Sequence, residues 1–134
     1  MLLELENNPD PEMIPYYYYQ LGKAAEITED YGKACGYFEK ALSYPLDPSL
    51  AYVEAAVTRF GLDSLALGRK QDALGITALT DLFPESADFH YVLGEAYFAN
   101  GLLSEALGAY EKALSLPEGA YPHRLSLQRV QSMC

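Results

Sequence analysis

Positive charge is scarce in this 134-residue chain. Nine Lys and Arg stand against nineteen Asp and Glu, a formal net charge of −10. A surface so short of cations cannot displace counterions from a phosphate backbone, which argues against a nucleic-acid partner. It equally disfavours docking on anionic lipid. Long apolar runs are missing too, since none approaches the roughly 18 residues that a membrane-spanning helix needs. Met1-Leu2-Leu3-Glu4-Leu5-Glu6 carries acid where a signal peptide has Lys or Arg ahead of a long apolar stretch. Two cysteines, Cys35 and Cys134, are too few for a disulfide framework. What remains is an acidic, soluble protein expected in the cytoplasm. Half the residues are hydrophobic and 21% are charged, enough apolar material for a packed core. The length suits one domain, or one segment of a longer protein.

The groups that make an active site are equally scarce. The two histidines, His90 and His123, lie thirty-three residues apart, with neither His-Glu-x-x-His nor Cys-x-x-Cys beside them. Cys35 follows a small alanine in a helical stretch and reads as a core thiol. The ten glycines never form a phosphate-cradling loop. No catalytic residue, metal site or cofactor is therefore expected, and the chain reads as a non-enzyme.

What the sequence does have is an internal repeat. Gly22, Gly61 and Gly94 are each followed twelve residues later by an alanine (Ala34, Ala73, Ala106) and eleven residues after that by a proline (Pro45, Pro84, Pro117). The repeats step by 39 and then 33 residues. Each contains two apolar stripes at helical spacing, such as Phe89, Leu93, Ala96 and Tyr97, then Ala106, Tyr110, Ala113 and Leu114. Breaks fall at Glu29-Asp30, Gly68 and Asn100-Gly101, and the prolines close the second stripes. The six extra residues, Leu46 to Ala51, follow the first proline. Asp47 as N-cap with Pro48 next predicts an early start to a long helix running to about Leu67. Such a helix either presents an edge to a partner or lengthens the wall of the stack.

These landmarks resemble the tetratricopeptide repeat. The family pattern stands as His90-x2-Leu93-Gly94-x2-Tyr97, Ala106-x3-Tyr110 and Pro117, and as Tyr18-x2-Leu21-Gly22-x2-Ala25, Ala34-x3-Phe38 and Pro45. The middle repeat departs from it, with Ser64 and Thr77 where aromatics are usual, so its packing is the least secure. The resemblance implies an all-α, right-handed superhelical solenoid of three helix-turn-helix repeats, at about 15–48, 54–86 and 87–119. A segment 1–14 precedes them, and a capping helix within 120–134 follows, all in a single domain. Pro122 suits the first turn of that cap.

The resemblance also implies that the first helix of each hairpin lines a concave groove. By that register Tyr16, Tyr19, Lys23, Glu26 and Ile27 line it in the first repeat, Thr58, Leu62 and Leu65 in the second, and Tyr91, Glu95 and Phe98 in the third. The run Tyr16-Tyr17-Tyr18-Tyr19 points four ways around a helix, so only part of it can be core, and Tyr18 holds the bulky core slot. The others either form a recognition surface or cover the open end of the first hairpin. Gly36, Gly75 and Gly108 recur two residues after the landmark alanines, and mark either a close backbone approach or one duplicated ancestor.

The implied function is a protein-interaction module, an adaptor or scaffold that binds a peptide or partner segment bearing apolar or aromatic residues. Self-association into a homo-oligomer through the same groove is a further expectation. Asp30 to Leu42 and Ser86 to His90 also resemble the tetratricopeptide tails of bacterial family-2 glycosyltransferases, and a secretion-type chaperone is a third reading.

Overall fold

The computed structural model describes residues 11–133; the expectations for residues 1–10 and for Cys134 lie outside them. Those residues form seven α-helices and one 3-10 segment, with no strand among them. Their internal contacts gather into two units, one ending at Leu67 and the other beginning at Gly68, so the break falls within the middle repeat.

The first unit contains α1 (Ile14–Ile27), α2 (Tyr31–Leu42) and α3 (Ala51–Ala66). Pro15 supports the start of α1, where its missing N–H costs nothing. The Asp30 carboxylate accepts the Lys33 N–H at 3.1 Å and caps α2, and Lys40 sits in the last turn, where the helix dipole favours a cation. α1 and α2 pack as a hairpin and α2 packs on α3. The core between them is Tyr19, Ala25, Ala34, Phe38, Ala41 and Ala56.

The expected early start of α3 does not occur. Asp47 Oδ1 instead accepts the Ser49 N–H at 3.0 Å and the Ser49 hydroxyl at 2.7 Å, a local turn that competes with helix entry. The helix begins at Ala51 with Leu50 extended before it, and still runs for 16 residues.

The second unit holds α4 (Lys70–Leu74), a 3-10 segment (Gly75–Leu82), α5 (Ala87–Ala99), α6 (Leu103–Ser115) and α7 (His123–Met133). The Ser86 hydroxyl accepts the Phe89 N–H at 2.9 Å and caps α5. The second helix of the middle repeat is α-helical for only five residues. Glycine and β-branched residues are weak helix formers, and Gly75-Ile76-Thr77 come together there. The Thr80 hydroxyl donates to the Thr77 carbonyl at 2.8 Å, a bond to the residue three back. α5 and α6 form the other hairpin, and α7 packs on α6 as the expected cap. Pro122 stands just outside α7 rather than in its first turn, and the Glu118 carboxylate accepts the His123 N–H at 2.8 Å to close that end.

The same fit holds each hairpin together. A Cβ on Gly22 would lie 2.5 Å from the Phe38 ring, and one on Gly94 would lie 2.6 Å from the Tyr110 ring. The missing methyl groups let each aromatic side chain of the second helix lie directly on the first. A Cβ on Gly36, Gly75 or Gly108 would meet nothing within 4 Å, so no close backbone approach within the chain accounts for these three.

This contrast sets the sign of substitution at each glycine. Gly22→Ala and Gly94→Ala should each destabilise by about 1–3 kcal/mol, because the ring cannot retreat from a packed core. Gly36→Ala and Gly108→Ala should each stabilise by about 0.5–1 kcal/mol, since a methyl there meets open space and removes helix-opposing entropy. Urea unfolding distinguishes the two signs. The tight turns place Glu29, Gly68 and Gly101 at φ of 61°, 76° and 74°. Only the first of these is not glycine, so Glu29→Gly should raise stability by about 1 kcal/mol in the same assay.

Candidate partner-binding site

The first unit separates the four tyrosines as a helix must. Tyr19 is only 7% exposed, 6.0 Å from Phe38 and 5.9 Å from Tyr52 between ring centres. That corrects its assignment as a groove residue: α3 covers the side of α1 that bears it. Tyr18 is half-buried and stacks on Tyr37 at 6.4 Å, with the Lys40 ammonium 5.4 Å above its ring. Tyr16 lies edge-on to Tyr52 at 5.5 Å, and Tyr17 lies 6.0 Å from Tyr16. Tyr16 also accepts a hydrogen bond from the Gln20 amide. Tyr16, Tyr17 and Tyr52 therefore make a half-buried aromatic surface across α1 and α3.

The Lys23 ammonium lies 5.4 Å from the centre of the buried Tyr19 ring. Ile27 does not belong to the tyrosine surface. It is 83% exposed and eleven residues along α1 from Tyr16, about 16 Å at the rise of an α-helix. Leu62 and Leu65 are half-buried on α3, and Thr58 is buried with its hydroxyl donating to the Ala55 carbonyl at 3.1 Å. Glu26 forms an ion pair with Arg59.

In the second unit Tyr91, Glu95 and Phe98 lie along α5, and α7 reaches all three. Arg129 Nε donates to Glu95 Oε1 at 2.8 Å and Nη2 to Oε2 at 3.2 Å, while the guanidinium carbon stands 4.6 Å over the Phe98 ring. Glu95 Oε1 also accepts the Tyr110 hydroxyl at 2.6 Å. Tyr91 lies 6.3 Å from Tyr110 and 5.6 Å from Tyr121. Burial, and then the Glu95 charge, push the Tyr91 hydroxyl up to about 12. Burial and the bond to Glu95 push Tyr110 further in the same direction. A recess of about 190 Å³ opens between Tyr91, Leu125, Gln128, Arg129 and Ser132. Glu95 is thus an anchor for Tyr110 and Arg129, with its side chain only 13% exposed.

His90 is a core residue, set edge-on to Phe89 at 5.5 Å, and its burial holds the imidazole below its ordinary pKa. Among the described residues no group of three His, Cys, Asp or Glu is arranged to hold a metal ion. No described helix is long and apolar enough to cross a membrane. Sequence reasoning passed over Arg59, Asp63 and Arg129. The sequence carries no signal for them beyond the presence of charge on a helix, which is ordinarily solvated.

Glu95→Ala should cost about 1–3 kcal/mol, because it strips the buried Tyr110 hydroxyl of its acceptor. Tyr110→Phe should cost about 1 kcal/mol, since Glu95 keeps Arg129. In urea unfolding the double variant should lose less than the sum of the two, as residues sharing one network do.

Two tetratricopeptide-repeat family models match the chain, one over residues 15–48 and the other over residues 58–123. A comparison with curated proteins finds no match. Both family matches are to repeats and neither is to a catalytic domain. The matched stretches cover most of the chain, and within them lie both the Gly22–Phe38 and the Gly94–Tyr110 contacts. The chain belongs to the tetratricopeptide repeat family, whose members generally act as protein-interaction modules.

Proposed function

We propose that the chain is a non-catalytic adaptor or scaffold that takes a partner segment bearing apolar and aromatic residues. The observation that carries this reading is the half-buried surface of Tyr16, Tyr17 and Tyr52 in the first unit. Tyrosine suits recognition because it offers a large apolar face and a polar tip with little rotamer freedom to lose. The charges nearby support an apolar ligand rather than an acidic one. Lys23 lies against the Tyr19 ring, and Arg59 pairs with Glu26. An acidic peptide would have to compete with that carboxylate and with a chain of net charge −10.

Peptides selected from a random displayed library test the reading. The selected sequences should be rich in Phe, Tyr, Leu and Ile, and Tyr16→Ser with Tyr52→Ser should weaken them at least about 10-fold, the effect of losing a buried aromatic anchor. A peptide ending in Glu-Glu-Val-Asp should show no saturable binding by fluorescence anisotropy. Selected peptides that bind the double variant as tightly as the parent would remove the tyrosine surface from the proposal. Self-association is measured alongside by sedimentation at low and high salt; an apolar contact should strengthen with salt as like-charge repulsion is screened.

A further inference from the structure

Asp63 occupies a position that does not suit a charged carboxylate. It is 5% exposed on α3, and its Oδ2 is buried with no hydrogen-bond partner. An ionised oxygen without a donor is strongly disfavoured where water is excluded. Arg59, one turn earlier on the same helix, is paired with Glu26 of α1. Asp63, one turn on from Arg59, thus has its carboxyl within hydrogen-bonding reach of Glu26. Two carboxyl groups can share a hydrogen bond only if one holds a proton, and the more deeply buried group, with an oxygen that has no donor, is the holder.

We propose that Asp63, Glu26 and Arg59 form a proton-held latch between α1 and α3. With its proton Asp63 donates to Glu26 and ties the two helices together. Without it, two carboxylates from neighbouring helices face one guanidinium, and the joint loosens. The tyrosine surface involves the same two helices through Tyr16 and Tyr52, about 15 Å along them from Glu26 and Asp63 at the rise of an α-helix, so the joint acts on that surface only through the relative position of the helices.

The groups around the latch are few within this unit. α1 contributes Glu26 and α3 contributes Arg59. From α2 the nearby group is the Cys35 thiol, 3.6 Å from the hydroxyl of Ser64, the residue next to Asp63. Lys33, Glu39 and Lys40 of α2 are exposed, and Tyr31 and Tyr37 half-buried. Burial first, and then the hydrogen bond and charge of Glu26, push the Asp63 carboxyl up to about 8, against the opposing pull of Arg59. The folded chain therefore holds a proton that the unfolded chain has released. Its stabilising effect is complete below the ordinary carboxylate range, declines above it, and is lost as pH rises through the folded value. His90 is shifted down and Tyr91 up, so both move away from the range in which Asp63 releases its proton.

Thermal unfolding of the whole chain between pH 6 and 9 tests the latch, with Asp63→Asn beside it. Asparagine cannot ionise and can still donate to Glu26. The unaltered chain should lose at least about 4 °C in Tm across this range, the shift expected for a change on the order of 1 kcal/mol in a chain of this size. Asp63→Asn should be flatter and the more stable of the two at pH 8.5. Carbon-13 NMR of the unaltered chain should show the Asp63 side-chain carboxyl titrating well above the other aspartates, a readout independent of how the variant folds. An Asp63 signal that titrates with the exposed aspartates, or an equal pH slope in Asp63→Asn, would overturn the proposal.

Discussion

Two rings lying on two glycines organise this molecule. Phe38 on Gly22 and Tyr110 on Gly94 are each fully buried, and each closes a hairpin by filling the space that a Cβ would need. The contact requires a pair of residues, one absent in bulk and the other large, on different helices sixteen residues apart. An isolated helix gains nothing from either. The pair recurs at the same spacing in the first and third repeats while most other positions differ, and both pairs lie within the stretches that the family models match. The middle repeat keeps its glycine, Gly61, and its alanine, Ala73, but has Thr77 where the ring should stand. Its second helix is α-helical for five residues and then tightens to 3-10, and the internal contacts of the chain divide within this repeat. Loss of one aromatic side chain and poor helix propensity at Gly75-Ile76-Thr77 act at the same place.

Scarcity of cations shapes the rest. With nineteen acids and nine Lys and Arg, few carboxylates near the helix joints can have a positive neighbour. Four of these cations act at close quarters: Arg59 on Glu26, Arg129 on Glu95 and over Phe98, Lys23 and Lys40 over tyrosine rings. The Arg129 pair is partly exposed, so its Coulomb attraction is screened and its worth lies more in aligning α7 with α5. Glu95 matters more through the buried Tyr110 hydroxyl, where a missing acceptor would be costly.

Much of the fold was legible because glycine, alanine and proline report backbone geometry directly. The breaks at Glu29-Asp30, Gly68 and Asn100-Gly101 proved to be the turns with positive φ, even where glutamate stands in for glycine. Side-chain placement was less legible, because it depends on the neighbouring helix. Nothing in the run Tyr16 to Tyr19 says that α3 brings Tyr52 against Tyr19 and buries it. α3 starts later than its sequence suggests for a local reason: Asp47 can cap a helix or bind Ser49, and both options draw on the same carboxylate. The place of Glu95 beside Tyr91 and Phe98 on α5 follows from helical spacing, but its attachment to Tyr110 depends on the fold of the whole hairpin. Asp63 lay beyond sequence reasoning altogether, since an acid on a helix is ordinarily solvated and only packing reveals its burial.

The proposed latch and the proposed binding surface have a physical consequence in common. Both join α1 to α3, one through Glu26 and Asp63, the other through Tyr16 and Tyr52. A ligand that contacts both helices favours the arrangement in which they are tied, which is the arrangement with Asp63 protonated. By linkage the converse must hold to the same degree: a proton on Asp63 favours the ligand, and the coupling free energy is one quantity seen from two sites. Its size is limited by how differently the ligand contacts the tied and loosened forms, not by how tightly it binds overall. An aromatic segment wedged between Tyr16 and Tyr52 depends on the spacing of the two helices and couples strongly. A ligand resting on α1 alone would bind without regard to the proton. The dependence of affinity on pH therefore reports the footprint of the partner across the α1–α3 joint.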